Sequence, residues 1–316
     1  MTGRRVGTPR RCRPSGLVVG ALSLLGVASA AAAQERPALL VLEVPGSTEA
    51  TAYGGAPWLF TDGPDLLFHT PALLEGTAGV SASLQRYGSE GLWLGLSGAG
   101  SGLGGGFAAG LRVMRYETPL DGSPEAGRES AAFAEGARDV SELVGSVGYA
   151  RTILGVRAGA SLSLSEVSLD EADDRAVSVD LGVARGFGPV LIGLTARHLG
   201  PDLEARAGEG PELPTRVAAG ASWESFEVGP LDLLLTSQVE RRRDGELIPA
   251  GGFELSYWPI QGYTFRFRAG ARRTLGEDRS PVTLGAAFTG DHITVEYAFQ
   301  SFGDAGETHR FGSRWR

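Results

Sequence analysis

The stretch Tyr263-Thr264-Phe265-Arg266-Phe267-Arg268-Ala269-Gly270-Ala271-Arg272 decides how this chain is read. Successive side chains of an extended strand point to opposite faces. Tyr263, Phe265, Phe267, Ala269 and Ala271 therefore share one face, and Thr264, Arg266, Arg268, Gly270 and Arg272 share the other. Aromatic rings opposite arginines fit a wall with an apolar exterior and a polar interior. A soluble antiparallel strand alternates in the same way, with its apolar face on a core. The remainder of the chain has to decide between the two.

The alternation recurs on both sides of this stretch. Val156, Ala158, Ala160, Leu162 and Leu164 alternate with Arg157, Gly159, Ser161 and Ser163. Ile293, Val295, Tyr297 and Phe299 alternate with Thr294, Glu296, Ala298 and Gln300. About fourteen such segments run from Gly79 to the C-terminus, each near the ~9–11 residues that a tilted strand needs to cross a bilayer. The connections alternate as well. Short turns at Gly98–Leu103, Arg151–Thr152, Gly186–Pro189, Ser225–Gly229, Pro259–Gln261 and Gly290 are interleaved with longer segments, among them Glu117–Ser141, Glu166–Arg175, Leu199–Leu213, Arg241–Ile248 and Thr274–Ser280. Alternating loop lengths place all hairpins of one kind on one side of a membrane. The expected fold is all-β: a transmembrane antiparallel β-barrel of about fourteen strands, with short periplasmic turns and long, acidic outer loops. Aromatic residues fall near both ends of the segments, such as Tyr149, Trp223 and Trp258 at one and Tyr87, Tyr116 and Phe299 at the other. That distribution gives two interfacial girdles.

The N-terminus supplies the compartment. Arg4, Arg5, Arg10, Arg11 and Arg13 precede an uncharged run, Gly16 to Ala30, and small residues at Ala28-Ser29-Ala30 and Ala31-Ala32-Ala33 offer cleavage sites. Residues 1–33 read as a secretory signal peptide. The only cysteine, Cys12, lies inside that leader, so the mature chain carries neither disulfide nor thiol nucleophile. Elsewhere no run of about eighteen apolar residues offers a helical span. The mean hydropathy of −0.03 is compatible with a barrel and with a soluble protein alike. All 29 basic residues are arginine, and the formal net charge is −8. Loss of the leader arginines makes the chain still more acidic, which argues against nucleic acid as a partner.

Residues 37–78 do not alternate; the expected organisation is a hatch segment over 34–78 and a barrel over 79–316. Ala38-Leu39-Leu40-Val41-Leu42 is an apolar stub, Ser47 or Thr48 caps a short helix over Glu49–Tyr53, and Gly54-Gly55-Ala56-Pro57 ends it. A compact segment of this size ahead of a barrel suits a lumen plug. Its motifs are Leu42-Glu43-Val44-Pro45-Gly46, Tyr53-Gly54-Gly55-Ala56 and Asp65-Leu66-Leu67-Phe68-His69-Thr70-Pro71-Ala72-Leu73-Leu74. With the tail Glu296-Tyr297-Ala298-Phe299 and Gly306–Phe311, they resemble the PorV/PorQ-type outer-membrane proteins of the wider FadL-like barrels. The resemblance implies a fourteen-stranded barrel with an N-terminal hatch in the bacterial outer membrane. It marks His69, Thr70, Pro71 and Ala72 as the hatch motif, although the family commonly has Asn-Pro-Ala where this chain has Thr70-Pro71-Ala72. A threonine makes a similar but weaker turn bond there.

Chemistry-bearing motifs are absent. His69, His198, His292 and His309 are scattered, with no metal-ligand spacing. The glycine-rich run Gly98–Gly106 lacks the Lys-Ser/Thr of a phosphate loop. The acidic run Asp170-Glu171-Ala172-Asp173-Asp174 lacks the EF-hand spacing and reads as a solvated loop. Arg241-Arg242-Arg243 reads as a basic strand end within reach of lipopolysaccharide phosphate. No cofactor is expected, and no enzyme. Arg112, Arg157, Arg266, Arg268 and Arg272 are expected to point into the lumen, toward hatch carboxylates and carbonyls or along a passage. Two functions fit such a wall. The resemblance implies a shuttle or scaffold in type IX protein secretion and surface attachment, with secretion-system proteins or cargo as partners. FadL-like relatives imply instead a channel for hydrophobic small molecules. Outer-membrane lipid is a partner in both.

Overall fold

The computed structural model describes residues 39–56, 63–87, 91–118, 138–169, 172–205, 208–209, 212–273, 281–301 and 307–316. The expected signal peptide, residues 1–33, and most of the expected loop Glu117–Ser141 lie outside the described residues, as does the whole of the expected loop Thr274–Ser280.

Fourteen antiparallel strands close into a barrel. They are β1 (Gly79–Tyr87), β2 (Gly91–Gly102), β3 (Gly105–Thr118), β4 (Arg138–Ile153), β5 (Val156–Leu169), β6 (Ala172–Phe187) and β7 (Val190–Leu199), then β10 (Arg216–Val228), β11 (Leu231–Arg242), β12 (Leu247–Ile260), β13 (Tyr263–Arg272), β14 (Val282–Thr289), β15 (Ile293–Ser301) and β16 (Glu307–Trp315). Two short pieces between β7 and β10, β8 (Glu204–Ala205) and β9 (Gly208–Glu209), pair with each other outside the wall. Every barrel strand pairs with its neighbour in the chain order, and β1 pairs with β16 from Val80↔Trp315 to Arg86↔His309. Closure leaves no open sheet edge, which a wall in hydrocarbon requires.

The faces follow the sequence alternation. On β13, Tyr263, Phe265 and Phe267 are exposed while Thr264, Arg268 and Gly270 are buried. On β16, Glu307, His309 and Phe311 are exposed while Thr308, Arg310 and Gly312 are buried. Exposed leucine, valine and phenylalanine continue around the outside, and serine, threonine, glutamate and arginine fill the buried list within. The barrel is thus a transmembrane wall, apolar toward lipid and polar toward its lumen.

Both turn classes are present, but the wall is taller than expected on both sides: at the short-turn end β2 runs on to Gly102 through most of the expected turn Gly98–Leu103, and β10 and β12 run to Val228 and Ile260 through most of the expected turns Ser225–Gly229 and Pro259–Gln261. At one end, Leu103-Gly104 and Leu154-Gly155 close hairpins with positive φ at both residues (54° and 73°, 52° and 77°). These are the backbone angles of a type I′ hairpin, in which the second residue is commonly glycine. At the other end, β5 and β6 stay paired out to Leu169↔Ala172. The expected solvated loop Glu166–Arg175 is therefore mostly strand. Glu166 and Arg175 are cross-strand partners with Nε and Oε2 3.3 Å apart, so the charged run continues the ladder instead of ending it. Of the acidic run, only positions 170–171 lie outside the described residues.

Replacing Phe267, at the middle of β13 and 47% exposed on the outer face, by arginine is expected to cost about 2–4 kcal/mol of folding stability in a bilayer. Reversible unfolding into denaturant from lipid vesicles measures this; an unchanged midpoint would place Phe267 away from lipid.

Candidate functional site

The N-terminal segment, residues 39–56 and 63–78, is enclosed by the wall. Its elements are the one-turn helix α1 (Leu40–Glu43), the helix α2 (Thr48–Ala52), and 3-10 turns at Pro64–Phe68 and Pro71–Leu73. Such short helices cannot hold themselves together, and the wall finishes them. Glu142 on β4 accepts from the amides of Val41 (2.6 Å) and Leu40 (3.2 Å), capping α1 where its own chain offers no cap. Ser47 caps α2 by accepting from the Ala50 amide at 3.1 Å. At the far end of α2, Thr283 donates to the Ala52 carbonyl (2.9 Å), Gln238 to that of Gly55 (2.8 Å), and Thr236 to that of Ala56 (3.0 Å).

Contact is so close that several wall positions, Gly270, Gly159 and Gly106 among them, need glycine. A Cβ on Gly270 would lie 2.1 Å from the Tyr53 carbonyl carbon, and one on Gly159 would lie 2.4 Å from the Pro71 oxygen. The alternating Gly and Ser of the inner face thus make room for the segment.

Two ionic clusters fasten it. In the first, Arg268 sits among three carboxylates: its Nη2 is 2.8 Å from Glu49 Oε1 as an ion pair, while Nε donates to Glu254 Oε2 (2.7 Å) and Nη1 to Glu296 Oε1 (2.9 Å). Arg314 bridges Glu49 and Glu296, at 3.2 and 2.6 Å. The Tyr53 hydroxyl donates to Glu254 at 2.9 Å. In the second cluster, Glu43 of the segment is paired with Arg216 and, at 3.0 Å, with Arg242. Glu240 is paired with Arg197, Arg216 (3.4 Å) and Arg272 (3.4 Å). Burial alone would raise the Glu43 carboxyl, but Arg216 and Arg242 outweigh it and hold the group below the usual carboxylate range. Burial pushes Asp65 up, although Ser81 (2.7 Å) and Ser97 (2.6 Å) both donate to it. A third anchor is Arg310, whose guanidinium lies 3.9 Å above the Trp93 ring and donates to the carbonyls of Pro45 and Ser47.

Toward the long-loop end, Leu39, Val41 and Leu42 are buried against Trp93, Met114 and Val144 of the wall. The apolar stub therefore lies in an apolar region of the lumen. Its residues 40–43 form a turn of helix.

The residues singled out from the sequence separate. Arg268 is 1% exposed and central to the first cluster. Arg112 is buried, donates to the Val41 carbonyl (3.4 Å) and lies 4.7 Å from the Phe68 ring centre. Arg272 reaches Glu240, and Arg266 lies 3.7 Å from Glu254, with neither in an ion pair with a carboxylate of the segment among the described residues. Arg157 is on the lumen side of β5 by alternation but is exposed near the short-turn end, with no ion pair among the described residues. His69 is buried, its Nε2 3.5 Å from Ser47 Oγ; burial, followed by Arg197, Arg112 and Arg310, keeps it well below the usual histidine range. Thr70-Pro71-Ala72 does form a turn, closed by the Leu73 amide donating to the Thr70 carbonyl at 3.1 Å. The expected side-chain bond is not made: the Thr70 hydroxyl is buried without a partner and caps nothing. The triplet Arg241–Arg243 is also used differently, with Arg242 on Glu43 and Arg243 on Asp202 (3.0 Å). Arg216, Arg310 and Arg314 were not singled out, although their strand parity already placed them inward.

No family model matches the chain, and no curated protein matches it in sequence. Solved structures do match in shape. The Pseudomonas putida toluene transporter TodX aligns with a TM-score of 0.59 at 11% identity, over 86% of this chain and 97% of that one. The Ralstonia pickettii toluene transporter TbuX aligns at 0.52 and 13%, over 86% and 98%. A Pseudomonas aeruginosa FadL homologue aligns at 0.52 and 10%, over 86% and 98%. The fold is therefore that of the FadL-like barrels. None of these matches carries the narrower PorV/PorQ resemblance.

A carboxylate lowered in the folded state stabilises that state above its unfolded pKa and loses this as pH falls through the folded value. For Glu43 the loss is expected below pH 4.5. Hydrogen exchange of residues 40–52 should accelerate in that range, and Glu43→Gln should abolish the step while loosening the segment at neutral pH. An acid step unchanged in Glu43→Gln would assign it elsewhere.

Proposed function

We propose that this protein is a non-enzymatic outer-membrane channel for hydrophobic small molecules, with the N-terminal segment acting as its hatch. The observation that carries this reading is the apolar region at the long-loop end of the lumen. There Leu39, Val41 and Leu42 pack against Trp93, Met114 and Val144. A hydrophobic solute entering between the outer loops meets this region first, and it gains by replacing the aliphatic side chains already there. Below it the ionic clusters close the lumen, so passage requires the segment to shift. Solved barrels of this fold include proteins described as toluene transporters and monoaromatic hydrocarbon channels, which supports the reading. Long loops face outward and short turns face the periplasm. The partners are outer-membrane lipid and a hydrophobic ligand, with no role for nucleic acid.

The other reading, a PorV/PorQ-like shuttle or scaffold for secreted cargo, rests on the sequence motifs alone. The channel reading is tested by uptake of a radiolabelled monoaromatic hydrocarbon into a Gram-negative host that lacks such channels. Expression is expected to raise the initial rate several-fold. A rate equal to that of the empty host, with the protein present in the outer membrane, would contradict the reading.

A further inference from the structure

A small cavity of about 20 Å³ lies between the N-terminal segment and the wall. Its lining is strongly polar: Glu43 and His69 from the segment, and Arg112, Arg197, Arg216, Glu240 and Arg272 from β3, β7, β10, β11 and β13. Four guanidinium groups thus face two carboxylates. Glu240 is shared among Arg197, Arg216 and Arg272, and Glu43 is shared between Arg216 and the neighbouring Arg242.

Arg112 stands apart from this sharing. It is 2% exposed, and among the described residues no carboxylate lies within 4.0 Å of it. Its contacts are the Val41 carbonyl and the Phe68 ring. Glu142 on the adjoining β4 is taken up by the Leu40 and Val41 amides, and Asp180 on β6 accepts from the His198 amide at 2.6 Å; neither lines the cavity. The Nε atoms of Arg112 and Arg216 are both buried without a hydrogen-bond partner. Buried cations without full compensation are costly, and buried N–H groups without acceptors add to that cost. Both deficits call for one thing, a negatively charged acceptor inside the cavity.

We propose that the cavity binds a small inorganic anion, chloride in ordinary salt, held between Arg112 and Arg216 beside His69. The volume supports a monoatomic ion, because about 20 Å³ holds a particle of water size and little more. Since His69 belongs to the segment while the arginines belong to the wall, an ion between them ties one to the other. Halide occupancy then favours the seated segment.

The test uses the full folded protein in detergent. Crystals grown with bromide in place of chloride should show an anomalous peak in the cavity, near Arg112 and Arg216. At constant ionic strength, replacing gluconate by chloride should raise the unfolding temperature in a saturable way. Arg112→Gln should lose both the peak and the saturable rise. The proposal is overturned if wild-type crystals show no peak there, or if chloride and gluconate give the same unfolding temperature. It is equally overturned if Arg112→Gln keeps the full chloride-dependent shift. The two wild-type measurements stand even where the variant does not fold.

Discussion

The position of Arg268 governs the interior of this barrel. Its guanidinium is 1% exposed, inside a wall whose other face meets lipid. An arginine there needs compensating partners, because the cost of desolvation is large and falls entirely on an unpaired charge. Glu254 comes from the adjoining β12, Glu296 from β15 on the far side of β14, and Glu49 from the N-terminal segment. The segment therefore supplies part of the charge balance of the wall. With Arg314 on the same Glu49 and Glu296, the cluster joins β12, β13, β15, β16 and α2 into one unit.

The rest of the lumen follows from having to satisfy that segment. A chain without long helices exposes many amides and carbonyls, and none can be left bare in a closed interior. Glu142, Thr236, Gln238, Thr283 and Arg310 each meet such a group. Glycines at 159 and 270 bring the wall close enough to do so. A hatch held by polar bonds and ion pairs can move without exposing a large apolar core. Its apolar stub occupies the region that a hydrophobic solute would take. In the proposed channel, the same segment blocks the passage and marks where the ligand enters.

Much of the wall was legible in the sequence because it rests on a local rule. A period of two assigns each side chain to a face whatever its partners are, so Tyr263–Arg272 told inside from outside and the strand count came out at fourteen. A cap at Ser47 or Thr48 was legible for the same reason, since such a bond spans three residues, and it falls to Ser47. Strand ends were less legible. Asp173 and Asp174 look like loop residues by composition, yet the Glu166–Arg175 pair carries the ladder past them. The site was the least legible part. Glu49 meets Arg314 across 265 residues, a pairing that exists only once β1 has closed on β16. Parity showed that Arg310 and Arg314 point inward, but it cannot show which carbonyl or carboxylate awaits them. Thr70 is the reverse case, a motif residue whose backbone makes the turn while its hydroxyl bonds to nothing among the described residues.

The central claim is that the segment seated on the wall must move for solute to pass. Thr48 Oγ1 on α2 donates to Ser83 Oγ on β1 at 3.2 Å, and the chain's one cysteine, Cys12, belongs to the expected leader. The most direct measurement is hydrocarbon uptake by the Thr48→Cys, Ser83→Cys double variant, before and after reduction. The account predicts that the disulfide forms on its own, that uptake falls to the background of the host, and that reductant restores it. A variant that stays fully reduced under oxidising conditions would contradict the seating of the segment, and undiminished uptake with the bond formed would contradict its role as a hatch.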